Sequence, residues 1–199
     1  MTDLIEGPDG LLRCSWVTSA PEYLSYHDSE WGRLLKGDDA LFERLALESF
    51  QSGLSWIVVL RKREAFRAAF DDFVLEKVAV YDDNDVERLL ADAGIVRNRA
   101  KISATIRNAQ LALELPAGLS EHLWSFAPVV GPAVAGSAEP PVVRATSPES
   151  DALAADLRKR GFRFVGPTTA YALMQATGMV NDHAVGCVAR EGPGVPLIS

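Results

Sequence analysis

Between residues 40 and 179 the apolar residues recur every third or fourth position, and hardly anywhere do they alternate. That period belongs to helices packed through one face, not to strands, so the chain is predicted to be all-α. Asp39 is a candidate N-cap for a helix opening at ALFERLALESF, which meets a tight turn at Gln51-Ser52-Gly53-Leu54-Ser55. A second helix is expected over 62–73, with Phe66, Phe70 and Phe73 on one stripe. WIVVL (56–60) is the best strand-like run, but it is short and lies between helices, so it reads as buried helix. Asp85 and Gly94 bracket a third helix, and 97–115 form a long one ended by Pro116. The start over 147–161 is the strongest: Ser147 at the N-cap, Pro148 at the first helical position, and Gly161 past a basic last turn. Residues 167–179 make the last helix, and 127–146, rich in Pro, Gly and Ala, read as an irregular connection within one unit spanning 1–199.

A chain of 199 residues can bury one sizeable core, or two small lobes sharing one. No apolar run is long enough to span a membrane. Residues 1–13 lack both a basic start and a long apolar stretch, so no secretory leader is expected and the cytoplasm is the expected compartment. Net charge is −7, which taken as an average argues against a polyanion as partner. The distribution argues otherwise. Stretches 97–113 and 157–181 carry eight of the 20 basic residues (Arg97, Arg99, Lys101, Arg107, Arg158, Lys159, Arg160 and Arg163) and no acid. An acidic body with two basic patches suits contact with a polyanion along one face, or else both patches are solvated helix ends.

Two cysteines are too few for a disulfide framework in a chain of this size. They stand with two of the three histidines as Cys14-x12-His27 and His183-x3-Cys187. Two Cys and two His match the number and type of donors that zinc takes in a closed, structural site, and His183 and Cys187 would share a helical face. The alternative is two buried cysteines and two unrelated histidines. Five of the eight Trp and Tyr residues, Trp16, Tyr23, Tyr26, Trp31 and Trp56, fall within 41 positions, with Glu48 among them. Aromatic rings around one carboxylate suit a flat, electron-poor or cationic ligand, unless the rings are core and Glu48 faces solvent. RKRGFRFVGPTTAY (158–171) joins two helices through Gly161 and Gly166. There the N–H groups at a helix start, with Thr168, Thr169, Arg160 and Arg163, can hold a phosphate; the arrangement resembles a helix-hairpin-helix, which implies contact with the DNA backbone.

The segments CSW (14–16), YHDSEWG (26–32), LESFQSGLSW (47–56), AGIVRNRAKI (93–102), RGFRFVGPTTAY (160–171) and MQATGMVNDHAVGC (174–187), in this order, resemble DNA-3-methyladenine glycosylase I. The resemblance runs from Cys14 to Cys187, leaving 1–13 and 188–199 as peripheral tails. It implies an all-α helix-hairpin-helix glycosylase fold with one structural zinc held by Cys14, His27, His183 and Cys187. It also implies that Trp16, Tyr23, Tyr26 and Trp56 shape and stack on an extruded base, that Glu48 hydrogen-bonds it, and that Gly53 and Leu54 fill the space it leaves. The expected activity is hydrolysis of the N-glycosidic bond of 3-methyladenine in alkylated double-stranded DNA. No lyase step is expected, since no lysine falls among the base-pocket residues, and a monomer without protein partners is expected. Asp182 is expected to orient His183 and not to act as catalyst. Ser49-Phe50 differs from the smaller or more polar pairs in some relatives, which touches fine substrate preference. The competing expectation is a DNA-binding module without catalysis, which would need the hairpin but not Glu48 or Tyr26.

Overall fold

The computed structural model describes residues 4–129 and 144–191. Most of the 127–146 connection, and 192–199, lie outside the described residues. A short antiparallel hairpin, β1 (Leu4–Glu6) and β2 (Leu12–Cys14), opens the chain. Nine helices follow among the described residues: α1 (Pro21–Ser29), α2 (Asp38–Gln51), α3 (Trp56–Ala69), α4 (Leu75–Val78), α5 (Asp83–Ala91), α6 (Arg99–Leu113), α7 (Gly118–Trp124), α8 (Pro148–Arg160) and α9 (Pro167–Ala176). The helical prediction holds, and the hairpin is an addition to it. No described helix is long and apolar enough to cross a membrane.

The α2 helix is the centre of the core. Leu41, Phe42, Leu45, Ala46, Leu47 and Phe50 are all buried, because neighbours pack on α2 from several sides: α3, α6, α7 and α9. The predicted caps are partly corrected here. Asp39 does not cap α2, whose N-cap is Gly37; its carboxylate instead accepts from Leu75 N at 2.9 Å, at the start of α4. Asp38 likewise accepts from Ser120 N in the first turn of α7. Two acids in one helix start thus serve the orphan N–H groups of two other helices. For α5 the N-cap is Asp82, with Asp85 completing a reciprocal capping box. The α8 start is as predicted, with Ser147 and Ser150 in a capping box and Gly161 at φ 101 closing the end.

The phenylalanine stripe is real, but the helix carrying it stops early. After Ala69 the chain turns left-handed through Asp71, Asp72 and Phe73, all at φ between 51 and 56. This costs backbone energy, and burial of Phe73 against Phe70, with ring centroids 5.2 Å apart, offsets it. One member of the first basic patch is also corrected. Lys101 is buried and donates to Phe50 O at 2.8 Å and Ser52 O at 2.6 Å, so its charge caps the C-terminus of α2 and is not offered to a partner. That cap fixes where α2 ends and the 52–55 turn begins.

Candidate active site and metal centre

A cleft of about 350 Å³ opens where α1, α2, α3 and α9 meet. Trp16, Tyr23, Tyr26, Trp31 and Trp56 line it with Glu48, so the aromatic residues clustered in sequence also cluster in space. Trp16 meets Tyr23 and Trp31 edge-on at 5.5 and 5.2 Å, and Tyr26 lies 5.5 Å from Trp56. The volume falls in the range of small-ligand sites.

Glu48 sits in the last turns of α2 with 5% of its surface exposed. No described group donates it a hydrogen bond. Burial pushes its carboxyl up to about 7, tempered by Arg44 one turn earlier. Arg44 is itself occupied: it pairs with Glu30 at 3.5 Å and lies over the rings of Tyr26 and Trp56. Glu30 is held further by Arg63. The cation that tempers Glu48 is therefore shared with another acid. The Nε1 of Trp56 is buried without a partner. The 52–55 turn joins two residues that line the cleft, Gln51 and Trp56, with Gly53 at φ 82 and Leu54 41% exposed.

Behind the cleft, Cys14, His27, His183 and Cys187 are all buried, and their donor atoms lie within 4.8 Å of one another. The set could hold a metal ion. His183 Nδ1 is 3.2 Å from His27 Nε2 and 3.9 Å from Cys14 Sγ; Cys187 Sγ is 3.3 Å from His27 Nε2. His183 and Cys187 do not converge on a helical face as predicted. They are joined by a turn in which Cys187 N donates to Ala184 O, with Gly186 at φ 88. The outward nitrogens are also taken. His27 Nδ1 meets Asp28 Oδ1 at 2.8 Å and His183 Nε2 meets Trp31 O at 3.1 Å, which leaves His27 Nε2 and His183 Nδ1 to face each other. Asp182, expected beside His183, is corrected: its carboxylate accepts from Tyr171 and Gln175 instead. Gly32 has no room for a side chain, since a Cβ there would lie 2.8 Å from His183 Nε2.

A family model described as methyladenine glycosylase matches residues 16–191. The chain belongs to that family. It is 47% identical over 186 residues to DNA-3-methyladenine glycosylase 1 of Escherichia coli (strain K12), covering 90% of this chain and 97% of the relative. A DNA-3-methyladenine glycosylase of Haemophilus influenzae is 40% identical over 187 residues, covering 89% and 97%. Among solved structures, the Staphylococcus aureus 3-methyladenine DNA glycosylase I superposes with a TM-score of 0.79 at 34% identity, covering 90% of this chain and 97% of that one.

The residues of this glycosylase expected to meet DNA lie on the α8–α9 connection and the 52–55 turn. Gly166 is the N-cap of α9 with open space around it, and Thr168 and Thr169 occupy the first turn, partly or fully exposed. Arg163 is exposed, whereas Arg160 is engaged by Asp156 at 2.7 Å. The hairpin is pinned from below. Asn108 on α6 accepts from Arg163 N at 2.9 Å and donates to Arg163 O at 3.0 Å. Asn108→Ala is expected to lose both bonds, costing roughly 1–3 kcal/mol in urea unfolding and weakening affinity for undamaged duplex. Residues missed from sequence include Arg44, Asp28 and Gln175. The first could be read from its four-residue spacing to Glu48, the second from its place beside His27, and the third had no signal.

Proposed function

We propose that this chain hydrolyses the N-glycosidic bond of 3-methyladenine in alkylated double-stranded DNA, as a monofunctional enzyme of base-excision repair. The observation that carries the reading is Glu48: a buried carboxylate without a donor of its own, inside a cleft walled by aromatic rings. Such a group is costly until a ligand brings it an N–H or a positive charge. Methylation at N3 gives adenine a formal positive charge. Trp16, Tyr23, Tyr26 and Trp56 offer faces that favour a cationic ring by roughly 0.5–2 kcal/mol over a neutral one. In the reaction the bond from the sugar carbon C1′ to N9 breaks with its electron pair going to the base, which leaves neutral. Water bonds to C1′ and loses a proton. The leaving base needs no strong acid, so the enzyme's work is extrusion, recognition and exclusion of unmodified purines. Gly53 and Leu54 fill the emptied stack, and Arg163, Gly166, Thr168 and Thr169 hold the backbone. Arg160 contributes by releasing Asp156 to reach a phosphate.

The metal is proposed to be one zinc ion with a structural role. A tetrahedral zinc has Zn–N of about 2.0–2.1 Å and Zn–S of about 2.3 Å, so its ligands lie roughly 3.3–3.8 Å apart; four spacings in this donor set, 3.2, 3.3, 3.7 and 3.9 Å, lie close to that range. With four protein ligands no position remains for substrate. The chain is proposed to act as a cytoplasmic monomer, folded as one unit with its ends tied by the metal.

The test is base release from methylated duplex, resolving 3-methyladenine from 7-methylguanine. Selective release of 3-methyladenine is expected; no release by folded, metal-loaded protein would leave a DNA-binding module as the better account.

A further inference from the structure

The α9 wall of the cleft is formed by Ala172 and Gln175, three residues apart on one face. Gln175 Nε2 donates to Asp182 Oδ2 at 2.8 Å, and the Tyr171 hydroxyl donates to the same oxygen at 2.7 Å. An ionised carboxylate only accepts, so Asp182 decides how the Gln175 amide faces: nitrogen towards Asp182, carbonyl oxygen away from it. Gln175 lines the cleft and Asp182 does not. No described group donates to the Gln175 oxygen. The cleft therefore presents a second acceptor besides Glu48, uncharged and fixed in direction by residues outside it.

We infer that Gln175 is a specificity-determining residue whose carbonyl oxygen accepts from the exocyclic amine of the extruded base, with Asp182 and Tyr171 as positioning residues that lock the amide in that sense. This rests on the glycosylase reading. A free glutamine can rotate its amide and offer either a donor or an acceptor; a locked one offers only the acceptor. An adenine-type base meets that oxygen with N–H. A base with a carbonyl at the same ring position meets it with a second oxygen, which repels and leaves both acceptors unpaired. The lock is thus a filter against the wrong base as much as a contact to the right one. It is independent of Glu48, which senses charge as well as N–H.

The experiment measures binding of two free bases by quenching of the cleft tryptophans: 3-methyladenine, and 3-methylhypoxanthine, which carries oxygen in place of the amine. Wild type is expected to prefer 3-methyladenine. Gln175→Met is expected to narrow that preference about tenfold. Asp182→Asn, whose amide can also donate and so lets Gln175 turn over, is expected to narrow it in the same direction with Gln175 intact. Metal content and melting temperature are recorded alongside, because Asp182 adjoins His183. If Asp182→Asn loses its metal, Gln175→Met decides alone, since Gln175 hydrogen-bonds none of the four metal-site residues. A purely structural role would weaken both bases equally, and an unchanged ratio in Gln175→Met overturns the proposal. Wild type that binds neither base would overturn the reading on which it rests, an outcome distinct from an unchanged ratio.

Discussion

Glu48→Gln is expected to melt several degrees higher than the native chain at pH 8 while releasing methylated base about 100-fold more slowly. Both effects have one source. In the fold, burial raises the Glu48 carboxyl from its ordinary 4.5 to about 7, so the folded chain holds that proton more tightly than the unfolded chain does. Stability attributable to this group is greatest below pH 4.5, falls as pH rises from there to about 7, and is flat above. Above pH 7 the ionised carboxylate costs the fold up to about 3 kcal/mol. Glutamine removes that cost and with it the charge that meets a cationic base. The two variants are expected to melt alike near pH 4 and to diverge on raising the pH. In kcat/KM, native enzyme is expected to gain activity through pH 7 as free Glu48 ionises, and Glu48→Gln to show no such limb. Melting curves that stay parallel from pH 4 to pH 8 would show that Glu48 is not strained by its burial.

Removal of the metal is the other large expected effect. Cys187→Ser, or stripping by a strong chelator in mild denaturant, is expected to lower the melting temperature by more than about 10 °C, because a structural site's binding energy is folding energy. The damage is expected to begin at the hairpin and the C-terminal turn, seen as new proteolytic cuts around residues 4–14 and 183–191. It then reaches the cleft through two shared rings. Trp16 stands edge-on to His27 at 5.2 Å, and Trp31 stands edge-on to His183 at 4.7 Å. Activity is therefore expected to decline with the loss of ordered structure over time. Instant loss on adding chelator to native protein, with melting unchanged, would mark a catalytic ion instead.

Much of this was legible in the chain. Helical spacing and the Ser147-Pro148 start are local signals, and the α8 boundaries follow from them directly. The aromatic cluster was legible because its members lie close in sequence as well as in space. Where readings failed, a distant partner decided the outcome. Asp39 looks like a cap until Leu75 arrives, and Lys101 looks like a surface cation until the end of α2 is seen beneath it. Asp182 adjoins a metal-site histidine in sequence, yet its hydrogen bonds run back to α9. The left-handed turn at 71–73 has no glycine to announce it, because core packing of Phe73 holds it and not local preference.

The Cys14 and His183 side chains that face each other across the metal site stand 169 positions apart. On a ribosome, then, the N-terminal half of that site waits until His183 and Cys187 have been added. Cys14 and His27 emerge early as an exposed thiol and imidazole, able to take up a stray ion or an oxidant. Only after residue 187 has cleared the exit tunnel can all four donors close. The tie cannot form before the two halves of the site meet, so the metal stabilises the fold only once both are made.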